Sequence, residues 1–453
     1  MLLTGNIFNE LNKAFAGSIR KSEIHRLSLY EEFAAFYNND YEAICSYLRE
    51  ATLNNPFSEE TLKDLKFRHL NIIRKIINRT TSGIFTKDPI LSLSGLSSEK
   101  QKLFSSLLEK CRFAQKVREA FRKAVYFNVV EANVIWDSAL NKLRIDIITP
   151  NNYTVETGND YLEKTKIAVR KADEHGEIYW SVWSESSHYL VKGDNIIPAN
   201  GNNDMVNPYK KSGSGRSALP FAALRIEEGD DYFGEPNWNV FLHQKNLDIR
   251  LTDLNETELK TLHQIYLGIN TNFSDGESFK AGDFKQINNV KEDDREPKIE
   301  SIIAKADYTS VRDNIDWHNK LVLNSEGISG NSVSTEITAE SGAAKKIDEL
   351  ELIERREEYK TILYHFMKEL LEVIRMVWNT YNPSQALPED KDFEISFTES
   401  NLFETPDDKK KRYDMALEYG YKDKIDITSE ELEISEEEAK AILNIRKNRS
   451  YSN

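Results

Sequence analysis

The sequence predicts an α+β chain in which helices predominate, and three observations carry that reading. Turn-making residues are sparse, with 19 Gly and 11 Pro among 453 residues. Apolar residues recur at three- and four-residue steps over both ends of the chain, as amphipathic helices require. Residues 128–226 instead alternate apolar and polar between clusters of turn residues, as half-buried strands require. A chain of this length folds as two to four subdomains.

The elements follow in order. Between Ile24 and Leu48 a helical stripe holds Leu29, Phe33, Phe36, Tyr37, Ile44, Tyr47 and Leu48. Ser58-Glu59-Glu60-Thr61 supplies N-cap chemistry for a second helix through Leu62, Leu65, His69, Ile72, Ile73, Ile76 and Ile77, ended by Gly83 and Pro89. A third runs from about Ser98 to Phe127, with Leu103, Leu107, Leu108, Phe113, Val117, Phe121 and Val125 on one face. The strand candidates are Val130–Trp136, Leu143–Ile148, Lys166–Arg170, Ile178–Trp183 and His188–Val191. Asp173–Glu177 and Lys192–Asn195 are hairpin turns, because Gly and Asn tolerate positive φ. Asn207–Ser217 is a Gly/Ser/Lys-rich flexible loop. Helical period returns from Asn237 to Leu267, and 268–305 is a polar excursion of short strands and loops. A helix from Asp307 to Asn324 precedes a small-residue stretch over 325–335.

The most periodic segment is 339–381, with Tyr359, Ile362, Leu363, Phe366, Met367, Leu370, Leu371, Ile374, Val377 and Trp378 in one stripe. At 1.5 Å per residue this helix reaches about 60 Å. It outruns a small core, so part of the stripe is expected to meet other copies or another subdomain. Asn382-Pro383 stops it. A strand at 393–397 and acidic helices near 406–419 and 435–447 complete the chain.

Charge is unevenly placed. The chain holds 60 Lys/Arg against 75 Asp/Glu, a formal net charge of −15. Residues 1–130 are basic, with 20 Lys/Arg to 14 Asp/Glu, and 385–453 acidic, with 11 to 18. An acidic balance disfavours static DNA binding, which needs a basic stripe. No apolar run approaches the roughly 20 residues of a membrane span, and the first residues, MLLTGNIFNELNKAF, lack the pattern of a secretory leader. Cys45 and Cys111 have no CxxC partner, which fits a reducing compartment. A soluble intracellular chain is expected.

Catalytic signals are thin. No GxxxxGK[ST], HExxH or GxSxG pattern occurs. Gly213-Ser214-Gly215-Arg216-Ser217 lacks the Lys and the following helix of a phosphate loop. The histidines are dispersed, and His69 and His365 read as partly buried packing residues in helical stripes. Asp230-Asp231, Asp293-Asp294 and Asp407-Asp408 read as solvated surface in a chain with 75 acidic residues. Neither an enzyme activity nor a cofactor or metal site is expected.

The order of these pieces resembles the portal protein, or head-to-tail connector, of tailed double-stranded DNA bacteriophages. Tyr30–Leu48 with Asn71–Ile77 and Gly83–Pro89 resembles the family's N-terminal wing, as does Val182-Trp183-Ser184-Glu185 leading to His188-Tyr189. Leu219-Pro220-Phe221 with Phe233-Gly234-Glu235-Pro236 resembles the start of its stem. Gly342-Ala343-Ala344 opening a long helix resembles the segment after its tunnel loop. Glu418-Tyr419-Gly420 and Ile434–Lys440 resemble its C-terminal end.

The resemblance implies a wing over 1–235, with a helical part to 127 and a β-rich module over 128–226. It implies stem helices at 236–267 and 307–324 around a clip at 268–306. A tunnel loop at 325–341, a long wing helix and strand over 342–400, and a short crown over 401–453 follow. The implied assembly is a ring, usually of twelve subunits, at one capsid vertex, formed in the host cytoplasm and carried in the virion. DNA passes through its channel in packaging and ejection. Its implied partners are the terminase large subunit, the major capsid and scaffold proteins, and head-completion or neck proteins; no membrane is involved. The tunnel loop carries Gly327, Gly330, Asn331, Ser332 and Thr335. Lys320, Lys345 and Lys346 are candidates to touch DNA phosphates transiently. Asp275, Glu277, Lys280, Lys285 and Lys291 are candidates for docking the motor on the clip. Two other classes stay open: a smaller neck or tail ring adaptor, and a DNA-associated phage enzyme with an unrecognised site.

Overall fold

The computed structural model describes residues 5–15, 21–52, 65–85, 88–95, 97–173, 175–199, 204–210, 218–262, 265–269, 284–287, 298–302, 308–328, 350–397, 406–432, 440 and 443. The chain divides into two units, Met1–Ala339 with Asp348–Thr398, and Glu340–Ile347 with Glu399–Asn453.

The first unit opens with α1 (Gly5–Ala14), α2 (Lys21–Asn38) and α3 (Tyr41–Thr52). The stripe expected as one helix from Ile24 to Leu48 is broken. Asn39 takes a left-handed φ of 62°, and the Asp40 carboxylate accepts from Ala43 N at 3.2 Å. Asp40 thus restarts the helix as an N-cap, a role its short acceptor suits. The second helix is shorter than its stripe: α4 spans Ile72–Ser82, and 65–71 is not helical. The proposed start at Ser58–Thr61 lies outside the described residues. The third stripe is two helices, α5 (Ser98–Lys110) and α6 (Phe113–Phe127). Arg112, at φ 56°, makes the turn between them, and neither Gly nor Pro marks it in the sequence.

Strands β2 (Val129–Asp137) and β3 (Lys142–Ile148) form an antiparallel sheet with β9 (Phe221–Arg225), in the order β3-β2-β9. The intervening β4 (Tyr153–Thr157), β5 (Lys164–Ala172), β6 (Ile178–Ser184), β7 (His188–Lys192) and β8 (Asn195–Pro198) make an antiparallel meander. All five strand candidates from the β-rich region appear. The expected hairpin turns join β5 to β6 and β7 to β8, with Gly176 at φ 80° and Gly193 at φ 54°. Part of the expected flexible loop, 211–217, lies outside the described residues. Helix α1 covers β6 and β7 through Leu11, Ala14, Phe15, Trp180 and Val191.

The main core lies where β2 is covered on both faces. Its first six residues are buried, although successive strand side chains point oppositely. Helix α6 packs on β2, as does the long helix α9 (Leu350–Tyr381), which also packs on β9 and on β13 (Phe393–Ser396). The stripe of α9 is therefore consumed inside its own chain. Leu363, Phe366, Met367, Leu370, Leu371, Ile374 and Val377 are all buried there. Part of the stripe is expected to meet other copies or another subdomain; of it, 350–381 packs on β2, β9 and β13, and 339–349 lies outside the described residues. His365, on the opposite side of α9, is exposed rather than partly buried. Strand β13 pairs antiparallel with β1 (Ile90–Leu93), joining chain segments some 300 residues apart.

Helices α7 (Trp238–Leu262) and α8 (Tyr308–Ser325) flank a small sheet of β10 (Ile265–Ile269), β11 (Phe284–Ile287) and β12 (Lys298–Ile302). The helix expected to run to Leu267 stops at Leu262, and Ile265–Leu267 are strand residues. β-branched and aromatic residues in Ile265-Tyr266-Leu267 suit a ladder better than a helix end. β10 is central, parallel to β11 and antiparallel to β12. In the second unit, α10 is Pro406–Glu418 and α11 is Lys424–Leu432. The helix expected over 435–447 lies largely outside the described residues, where only 440 and 443 are described, as helical.

Candidate functional site

The helical pair α7 and α8 is the best-defined candidate, and three cross-links give its geometry. His243 bonds Asn319 at 2.8 Å, Arg250 bonds Asn314, and the Tyr308 hydroxyl donates to the Thr257 carbonyl at 3.3 Å. As residue numbers rise on α7 they fall on α8, so the pair is an antiparallel hairpin. The chain leaves α7 directly into β10 and returns from β12 into α8. The small sheet is therefore inserted at the connecting end of the hairpin.

A row of polar side chains fixes α7 to the N-terminal helices. Gln244, Asp248 and Thr252 recur every fourth residue, on one helix face, and each is buried. The Gln244 Oε1 accepts from Ile72 N at 2.8 Å and Ile73 N at 3.4 Å, while its Nε2 donates to Leu70 O at 2.9 Å. Asp248 accepts from Leu70 N at 3.2 Å and pairs with His69 Nδ1 at 2.6 Å; Thr252 Oγ1 accepts from Arg68 N at 2.8 Å. Asn71 caps α4, its side chain accepting from Arg74 N at 2.9 Å, and Gln244 meets the first two amides of the same helix from outside. His69, read as a packing residue in a helical stripe, lies outside the helix as a polar clamp, its ring nitrogens meeting Asp248 and, at 2.9 Å, the Asn39 Oδ1. Burial pushes the Asp248 carboxyl up, opposed by its bonds to His69, Leu70 and Gln244.

A second junction joins both roots of the hairpin to α9. Glu326 accepts from Asn237 Nδ2 at 3.1 Å and faces Arg355 at 3.5 Å. Asn237 precedes α7, Glu326 follows α8, and Arg355 lies in the first turns of α9. The three residues border a cavity of about 310 Å³ with Glu227, Trp238 and Tyr359. Burial raises the Glu326 pKa, with Asn237 and Arg355 pulling it back.

The predicted site residues are dispersed. Gly327 stops α8: at φ 68° it lets Ile328 N reach Leu323 O at 2.8 Å, a left-handed cap that favours glycine. Ile328 is buried. Gly330, Asn331, Ser332, Thr335, Lys345 and Lys346 lie outside the described residues. Lys320 is exposed on α8, beside Trp317 (55% exposed) and Leu321 (45% exposed). Lys285 is in β11, opposite Leu267; Asp275, Glu277, Lys280 and Lys291 lie outside the described residues. Of the acidic pairs, Asp231 serves its own turn, accepting from Phe233 N at 2.9 Å and Gly234 N at 2.8 Å.

The sequence reading missed the Gln244–Asp248–Thr252 row, the Glu326 junction and the exposed Trp317–Leu321 pair. The four-residue spacing of the first was a usable signal. Among the described residues no group of three or more His, Cys, Asp or Glu is placed to share a metal ion, and no helix is long and apolar enough to cross a membrane. Both cysteines are buried free thiols, and burial pushes Cys111 up to about 12. No known protein family matches the chain, and no curated protein matches it either.

Proposed function

We propose that the chain is the portal subunit of a tailed double-stranded DNA bacteriophage. On this reading it assembles as a ring at one capsid vertex, through which DNA is packaged and later ejected. The observation that carries the proposal is the antiparallel hairpin of α7 and α8, with a three-stranded sheet at its connecting end and α9 joined to its base through Glu326 and Arg355. In this assignment the hairpin is the stem and the small sheet is the clip that meets the terminase. The α/β body with α9 is the wing that meets capsid and scaffold proteins. The C-terminal helices α10 and α11 are the short crown.

Exposed apolar side chains on the hairpin support the assembly. Leu242 on α7 is 49% exposed, and Val311, Trp317 and Leu321 on α8 are 42–55% exposed. A hairpin that stays monomeric leaves these in water, whereas a closed ring buries them by repeating one heterologous contact. Purified protein imaged in negative stain is expected to show rings with a central channel, of about twelve subunits. A sharply monomeric species at micromolar concentration across several salt conditions overturns the proposal.

A further inference from the structure

We infer that a cationic cleft in the body of the first unit binds a phosphate-bearing ligand. The cleft has a volume of about 470 Å³ and opens where α2 and α6 meet the ends of β3 and β5. That size falls within the range of about 300–1,000 Å³ typical of small-ligand pockets. Four cations line it, Lys123 from α6, Arg144 from β3, and Arg170 and Lys171 from β5, together with the carboxylate of Asp146. Tyr37, Phe127, Ile148 and Val169 supply apolar walls. Carboxylates of Glu119, Asp146 and Glu31 offset three of these charges, which leaves Lys171 as the uncompensated cation.

Three of the cations are already held in place. Lys123 pairs with Glu119 at 2.7 Å, Arg144 with Asp146 at 3.0 Å, and Arg170 with Glu31. These bonds fix their positions, yet an ammonium has three donors and a guanidinium five, so each retains donors for a ligand. Lys171 differs. Among the described residues its ammonium has no hydrogen-bond or ion-pair partner, and burial lowers its pKa, with Asp146 opposing and Arg144 adding to the shift. A cation drawn partly out of water without a partner is unfavourable, and an anion in the cleft removes that penalty. Phosphate oxygens match this set of donors, since Arg and Lys are the usual phosphate-binding side chains. The inference does not depend on the ring, because the cleft lies within one copy of the first unit.

The test is a thermal-shift titration with three probes: inorganic tripolyphosphate, a nucleoside triphosphate and a short oligothymidylate. Wild-type protein is expected to be stabilised by at least one. Lys171→Met, which keeps the stem and removes the charge, is expected to melt no lower than wild type without probe and to bind about tenfold more weakly or worse. Lys171→Arg should restore binding, and Lys320→Ala, which removes an exposed cation elsewhere, should leave it unchanged. Stabilisation by tripolyphosphate or the triphosphate identifies a free phosphate ligand; stabilisation by the oligonucleotide alone identifies a nucleic-acid backbone. The inference is overturned if no probe stabilises the protein. It is equally overturned if Lys171→Met and Arg144→Gln bind all probes as wild type does.

Discussion

Glu326 and Gln244 show how single polar side chains set the position of the hairpin. Burial dominates at Glu326, so its folded-state pKa lies above the ordinary value near 4.5 despite Asn237 and Arg355. The folded chain then binds this proton more tightly than the unfolded chain. Stability falls as pH rises from about 4.5 through the raised value, and the penalty is fully present above it. Glu326→Gln mimics the protonated acid and should melt higher than wild type at neutral pH. The gap should close as pH falls through that window, and melting curves at a series of pH values measure it. A constant gap would mean that Glu326 ionises normally when folded. Gln244 acts differently, because it satisfies three backbone groups at once. Gln244→Leu keeps much of the volume but strands the Ile72 and Ile73 amides in a buried place. Leaving buried groups unmet costs about 1–3 kcal/mol, so denaturant unfolding should register a loss of about that size.

At the scale of elements, legibility followed how locally each element is determined. The strands of the meander were readable because alternation fixes which face is buried, and Gly176 and Gly193 marked its turns. Helix α9 was readable for the same reason, since Leu363, Phe366, Leu370, Ile374 and Val377 recur at helical spacing. The break at Asn39 had a local signal, since Asn tolerates a left-handed φ and Asp40 caps the next helix, whereas the left-handed turn at Arg112 had none. The start of α4 did carry a local signal, Asn71 capping Arg74 N at 2.9 Å, but the apolar spacing continues upstream through Leu65 and masks it. Strands β1 and β9 depend on partners far along the chain, and short strands of that kind leave little periodicity to read. The core role of α9 gives a sharp expectation: Leu370→Ala should cost about 2–5 kcal/mol, the usual range for a buried large-to-small change. Gly83 tests the contact between α4 and α9. A Cβ there would overlap the Arg356 guanidinium, which donates to Arg79 O at 2.8 Å and Thr80 O at 3.3 Å. Gly83→Ala should displace Arg356 and destabilise the protein by about 1–3 kcal/mol, measured by denaturant unfolding.

At the scale of the whole molecule, the two opposing forces on any ring are apolar contact and electrostatic repulsion. Each copy carries −15, so assembling about a dozen concentrates negative charge that resists closure. The stripe of α9 cannot offset this repulsion, because it is buried within its own chain. Trp317 and Leu321 on α8 are free to do so, and aromatic side chains bury about 150–250 Å² when fully covered. Two results should follow if the hairpin closes the ring. Raising salt from low ionic strength to about 0.15 M should favour assembly, because the Debye length shrinks to roughly 8 Å. Trp317→Glu combined with Leu321→Glu should yield monomers, because it replaces apolar contact with like charge. Their circular dichroism and melting should match those of wild-type protein dissociated by dilution, since neither side chain is buried in the chain. Native mass spectrometry distinguishes the outcomes directly. Rings of unchanged mass in the double variant would place the contact on another surface, and assembly that weakens with salt would show that ion pairs, not apolar side chains, hold the copies together.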